Sequence, residues 1–197
     1  VYGGDAAMIV DLGGDDVYLG SAGAPAIEAT RSIYSATGSR GLHARAPIGV
    51  VIDYGGDDRY LGNRPGALGS ALGGVGLLVD IEGDDTYSVD RLGLGAAFCG
   101  VGLLVDGGGD DVYLAQQAAQ GCAFYGVGLL VDEEGDDLYS AAQFSQGFGG
   151  ARGLGLLLDR QGRDRYVADL TVPSGYGTRG VYNGWSQGVG CGFRGYA

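Results

Sequence analysis

The chain has 197 residues, with 43 glycines, 13 tyrosines, no lysine, 12 basic residues that are all arginine, and a formal net charge of −12. That charge excludes nucleic acid and anionic membrane surfaces, which need cationic contacts, and favours a cationic partner such as a metal ion. Four prolines without a Gly-X-Y period exclude collagen, and a 45 % apolar content in compact runs such as Gly76-Leu77-Leu78-Val79 excludes disorder.

The first element is the phrase Met8-Ile9-Val10-Asp11-x-x-Gly14-Asp15-Asp16-x-Tyr18, which recurs five times and ends at Tyr60, Tyr87, Tyr113, Tyr139 and Tyr166. Apolar residues at the first, third and fifth positions before each leading aspartate, as in Val79, Leu77 and Val75, have the period of a strand. The x-x-Gly-Asp-Asp after it is turn chemistry, and Asp-x-Tyr opens a second extended segment. Residues 21–47 then interrupt the pattern, carrying Glu28, Arg31, Arg40, Arg45 and the single histidine, His43.

From Asp53 onward the copies follow at a spacing of about 26 residues. Glycines stand four and six positions before the leading aspartate in the later copies, for example Gly76 and Gly74, and argue against helix. A Gln-Gly signature appears at Gln120-Gly121 and Gln146-Gly147 and returns at Gln187-Gly188. Residues 168–185, with Pro173 and Arg179, form a second insertion. A repeat this long supplies two or three short strands with their turns, so the chain reads as all-β: a single parallel β-helix or β-solenoid domain of about six to seven coils over residues 1–197. Cys99, Cys122 and Cys191 lack CxxC spacing and are expected to be small apolar fillers of the interior. No stretch has the length of a membrane span, so membrane insertion is not expected. The chain begins at Val1 and both ends interrupt the repeat. It is therefore expected to be a fragment or unit of a longer array, or to stack end to end on other copies as a filament.

Stacking the coils about 4.8 Å apart aligns three acidic columns. The leading column is Asp11, Asp53, Asp80, Asp106, Asp132 and Asp159. The middle column is Asp15, Asp57, Asp84, Asp110 and Asp136, with Arg163 in its last row. The third is Asp16, Asp58, Asp85, Asp111, Asp137 and Asp164. Like charges at that separation repel by about 1 kcal/mol per pair even in water. Oxygen-only ligands, several carboxylates per turn and glycine at sharp bends are what Ca2+ requires, so several calcium ions per chain are expected. The alternative is that the aspartates are solvated and cap backbone amides. Arg163 is expected to neutralise a neighbour such as Asp136 where the acidic row ends.

Gly-Asp-Asp-x-Tyr is similar to the Gly-x-Asp-x-hydrophobe core of the RTX calcium-binding repeats, with Asp16, Asp58, Asp85, Asp111, Asp137 and Asp164 at the ligand position. The resemblance covers five or six residues per coil, and implies calcium held between turns of a parallel β-roll on a secreted protein. The coil of this chain is longer than RTX repeats and closer to that of a pectate-lyase-style β-helix.

The tyrosine column reads as a stacked ladder, with an exposed sugar-binding stripe as the alternative. The Gly-x-Gly-x-Leu face is expected to lie inside a narrow coil, with an exposed interaction surface as the alternative. The resulting expectation is an extracellular or cell-surface structural and adhesive repeat protein, stabilised by calcium, with itself (stacked end to end or laterally) and cell-surface polysaccharide as partners. A carbohydrate-active β-helix enzyme, a polysaccharide lyase or hydrolase working at the insertions, is the alternative. No nucleophile–histidine–acid spacing supports it, and acidic residues repeated in nearly every coil point to architecture.

Overall fold

The computed structural model describes residues 2–4, 8–28, 43–46, 48–169, 171–173, 178–182 and 184–192, with the strand backbone alone at 2–4, 26–28 and 43–46. Each repeat contributes one strand to each of two parallel sheets, joined by the Gly-Asp-Asp turn. The first sheet orders Tyr2–Gly4, Val17–Gly20, Arg59–Gly62, Thr86–Arg91, Val112–Gln117, Leu138–Ala141 and Arg165–Ala168 side by side. The second orders Met8–Val10, Ile48–Ile52, Gly74–Val79, Gly100–Asp106, Val127–Asp132 and Leu154–Asp159. The protein is thus the expected all-β parallel solenoid. Its uninterrupted turns run from Asp53 to Asp159, fewer than the six to seven coils expected, because the insertion at 21–47 separates the first rung from the second.

Register follows the repeat residue for residue. Tyr60 pairs with Tyr87, Tyr87 with Tyr113 and Tyr113 with Tyr139, while Asp106 pairs with Asp132 and Asp132 with Asp159. The tyrosine rings therefore stack in a single ladder with centroids 4.6 to 4.9 Å apart. Tyr18, Tyr60, Tyr87, Tyr113 and Tyr139 are fully buried, and only Tyr166, in the last row, is 40 % exposed. The ladder is core, and this burial overturns the alternative of a tyrosine-lined carbohydrate surface.

The glycine face is also settled. Gly49, Gly76, Gly102, Gly128 and Gly155 point inward, where an added Cβ would fall 2.1 to 2.2 Å from the carbonyl oxygens of Ala24, Ser70, Ala96, Cys122 and Phe148. Only glycine lets the returning loop lie this close to the sheet. Leu78, Leu104 and Leu130 fill the same inner face and are fully buried. Strand alternation then turns the other residues outward: Val75, Leu77 and Val79 follow the exposed or half-exposed positions of their strand.

The Gln-Gly signature is a clip between rungs. The Gln120 side-chain amide donates to the carbonyls of Tyr113 and Ser140, and that of Gln146 to those of Tyr139 and Val167. Within the first insertion Ala26–Glu28 pairs antiparallel with His43–Ala46. Residues 29–42 lie outside the described residues, and so does the His43 side chain. In the second insertion Pro173 and Tyr182 form an antiparallel bridge. The cysteines are free. Cys122 is buried as expected, whereas Cys99 is exposed, because it sits in a left-handed turn (φ 57°) that swings its side chain out of the coil.

Candidate metal centre

The acidic turns are assembled by backbone bonds between neighbouring coils. Each leading aspartate stands at the end of a strand of the second sheet or one residue beyond it, and at Asp11, Asp53 and Asp106 its Oδ1 accepts the amide two residues on. Examples are Gly55 N–H to Asp53 (3.1 Å) and Gly108 N–H to Asp106 (3.1 Å). The glycine of Gly-Asp-Asp follows with φ of 141° at Gly109 and 158° at Gly135. A Cβ on Gly83, Gly109, Gly135 or Gly162 would stand only 1.5 to 1.9 Å from a carbonyl oxygen of the preceding turn.

The two aspartates of the pair are adjacent and diverge. The middle column, Asp57, Asp84, Asp110 and Asp136, is exposed, and its carboxylates accept the amide of the equivalent residue one turn later. The third column is bonded in the opposite sense. Asp58 N–H donates to Asp85 Oδ1 (2.7 Å), Asp85 N–H to Asp111 (2.7 Å) and Asp111 N–H to Asp137 (2.8 Å). Asp58, Asp85, Asp111 and Asp137 are at most 2 % exposed.

The leading column is buried with them. Asp53, Asp80, Asp106 and Asp132 are fully inaccessible, and Asp11 nearly so. The tyrosine hydroxyls supply part of their hydrogen bonding. Tyr60 donates to Asp80 (2.5 Å), Tyr87 to Asp106 (2.6 Å), Tyr113 to Asp132 (2.7 Å), Tyr139 to Asp132 (2.8 Å) and Tyr166 to Asp159 (2.7 Å), while Tyr18 donates to Asp53 and Asp11. Sequence reasoning missed this pairing, although Asp-x-Tyr places the third aspartate and the ring on one face of the same strand.

Leading and third columns converge into groups of three carboxylates whose facing oxygens lie within 4.8 Å of one another. These are Asp53, Asp58 and Asp80; Asp85, Asp106 and Asp111; Asp111, Asp132 and Asp137; and Asp137, Asp159 and Asp164. Among the described residues, no such group includes Asp11, Asp16 or the middle column, Asp15, Asp57, Asp84, Asp110 and Asp136. Arg163 does what its position suggested. Its guanidinium reaches Asp136 Oδ2 at 2.5 Å and holds that carboxyl below its usual range.

Buried oxygens remain without a hydrogen bond at Asp80 Oδ1, Asp132 Oδ1 and Asp137 Oδ2. Leaving such an atom unpaired costs about 1–3 kcal/mol, more when it carries charge. Burial, followed by the charge of neighbouring aspartates, raises the carboxyl pKa values: to about 7 at Asp58 and Asp137, about 9 at Asp85, about 10 at Asp111 and about 6 at Asp106. Asp80, Asp132 and Asp159 are pushed up as well, chiefly by burial. The interior must therefore take up protons or a cation.

A pH dependence follows for the ion-free chain. Each raised group binds its proton more tightly folded than unfolded. Its stabilisation is complete below about pH 4 and is lost as pH rises through 6 to 10, at about 1.4 kcal/mol per pH unit for each titrating group. Melting in excess chelator should shift to lower temperature from pH 5 to pH 9. A cation that occupied the carboxylate groups would flatten that slope by replacing the protons.

Neither a protein-family model, a curated protein nor a solved structure matches this chain. Fold and turn chemistry alone define its class: a parallel β-solenoid repeat protein whose stacked, Asp-rich turns form carboxylate groups with the spacing of a metal site.

Proposed function

We propose that this protein is a structural repeat module of the extracellular space or cell surface, rigidified by calcium held between its stacked turns. The observation that carries the reading is the row of carboxylate triplets, buried in all but its last member, with unpaired oxygens at Asp80, Asp132 and Asp137. Every side-chain ligand on offer is a carboxylate or a phenol oxygen, which suits a hard cation. Calcium takes six to eight oxygens at about 2.3–2.6 Å and tolerates irregular geometry, whereas magnesium demands a near-ideal octahedron. Asp85, Asp106, Asp111, Asp132 and Asp137 would hold the central ions, and the only chemistry such ions supply is charge neutralisation and cross-linking of turns.

Weak sites suffice where calcium is millimolar, which is the argument for an extracellular setting. A ligand present at 100 times its dissociation constant stabilises by about 2.7 kcal/mol per site. Filling all the triplets would therefore raise the melting temperature by about 20 °C or more. Differential scanning calorimetry with calcium, magnesium and excess chelator tests this. The expected result is a large shift for calcium and a smaller one for magnesium; equal melts in calcium and chelator would dismiss the reading.

End-to-end stacking of copies and a cell-surface polysaccharide partner belong to the same proposal. The first is supported by an open cavity of about 490 Å³ at the last rung, beside Tyr166 and between Gln146 and Gln187, where a further coil would continue the ladder. The competing reading as a carbohydrate-active enzyme rests on the two insertions, and the side chains of 26–47 are outside the described residues.

A further inference from the structure

The outward face of the second sheet is the largest feature that the cation chemistry leaves unused. The side chains it presents are Val, Leu, Ile and one Met. Val75, Leu77 and Val79 on one rung are followed in register by Val101, Leu103 and Val105 on the next, and the pattern holds on the rungs of Val127–Asp132, Leu154–Asp159 and Ile48–Ile52. Met8 and Val10 extend two of the columns onto the first rung. Exposure is 39 % at Val75, 40 % at Val101, 61 % at Leu154 and 64 % at Met8, so these side chains meet solvent. The other sheet behaves differently: its outward positions mix Thr86, Ser88, Asp90 and Gln116 with apolar residues.

Six strands about 4.8 Å apart, each offering about five residues of 3.3 Å rise, give a plan area on the order of 400–500 Å². A patch of that area matches the largest apolar patch of a typical monomer, about 300–600 Å², which is often a functional contact surface. Covering it on two copies removes on the order of 1,000 Å², the lower limit for a specific interface. The face is flat and in continuous parallel register, a shape matched by another sheet packed at about 10 Å. Its strands carry no charged side chain on this face, on a chain of net charge −12, so two copies can meet here without repulsion. A two-fold axis parallel to the solenoid axis would set the acidic edge of each copy over the opposite, non-acidic edge of the other. An anionic bilayer does not fit, because the acidic turns border the patch and no lysine rims it.

We infer that the outer Val/Leu/Val face of the second sheet is a sheet-on-sheet interface with a second copy of this chain. This stands apart from the cation reading and is tested with calcium present throughout. Sedimentation velocity and light scattering of the intact chain at about 20 μM should give at least twice the 20.0 kDa chain mass. Leu103→Arg with Leu129→Arg, both on outward positions, should halve the mass of the assembly, to a monomer where the ends do not stack, with the same far-ultraviolet circular dichroism. The dimer dissociation constant should rise about 100-fold or more. Should the double variant fail to fold, the single Leu129→Gln serves, with a smaller shift in the same direction. The inference is overturned by a wild-type monomer at 100 μM, including one captured by neutral phosphatidylcholine vesicles. It is overturned equally by an assembly whose mass is the same in a folded face variant as in wild type, since the ends alone would then hold the copies together.

Discussion

Asp111→Asn is expected to change stability in opposite directions with and without calcium. Asp111 belongs to two triplets, with Asp85 and Asp106 on one side and Asp132 and Asp137 on the other. Asparagine keeps the shape and an oxygen that can still accept the Asp85 amide, a bond of 2.7 Å, but removes the charge. In chelator that removal relieves repulsion among carboxylates packed within 4.8 Å. At an effective dielectric of about 20, a pair of charges 4 Å apart costs about 4 kcal/mol, so a gain of about 1–3 kcal/mol is expected after proton uptake is allowed for. In calcium the same change weakens two sites. A tenfold loss at each is about 1.4 kcal/mol, so the variant should be less stable than wild type by about 3 kcal/mol. Urea unfolding of both chains in both buffers measures the four values. A variant more stable than wild type in calcium as well would mean that protons alone neutralise the column, with asparagine imitating the protonated acid.

The second large effect lies in the turn itself. Gly109→Ala should abolish folding or cost more than about 4 kcal/mol, because the new Cβ would stand 1.8 Å from the Gly83 carbonyl oxygen at a φ of 141°. Gly108 shares the unusual backbone, at 149°, but a Cβ there meets nothing nearer than 3.2 Å. Gly108→Ala should therefore cost only the conformational strain, about 1–2 kcal/mol. Soluble yield and the midpoint of urea unfolding separate the two. Equal behaviour would show that the turns are not stacked as closely as described.

These contrasts mark how far the sequence could be read. Aligning the phrases was enough to find the strands and their register, since Tyr87 pairs with Tyr113 and Asp106 with Asp132 as the repeat requires. The tyrosine ladder and the Arg163–Asp136 pair were legible for the same reason: stacking puts equivalent positions next to each other. Direction of facing was harder. Val75, Leu77 and Val79 point outward, as the expected burial of the Gly-x-Gly-x-Leu face requires, because Gly76 accepts the close approach of the Ser70 backbone on the other side. Period two identifies two faces without saying which is inside.

The acidic columns show the same limit. Charge counting gave three equivalent rows, while alternation along Asp84 and Asp85 sends one carboxylate to solvent and the other toward Tyr87. Parity with the tyrosine two residues on carried that information. The left-handed backbone at Leu92, Ala118 and Phe144 left no such trace, since none of these residue types favours it.

Calcium between the buried turns is the central claim, and counting bound ions tests it most directly. The chain would be dialysed against chelator, then titrated with calcium in an isothermal calorimeter at pH 7.5, with elemental analysis of the saturated protein. The account predicts several ions per chain, protons released on binding, and loss of the central ions in Asp111→Asn. Saturated protein that carries no calcium and releases no heat would contradict it, and would leave protons as the sole neutralising charge of the aspartate column.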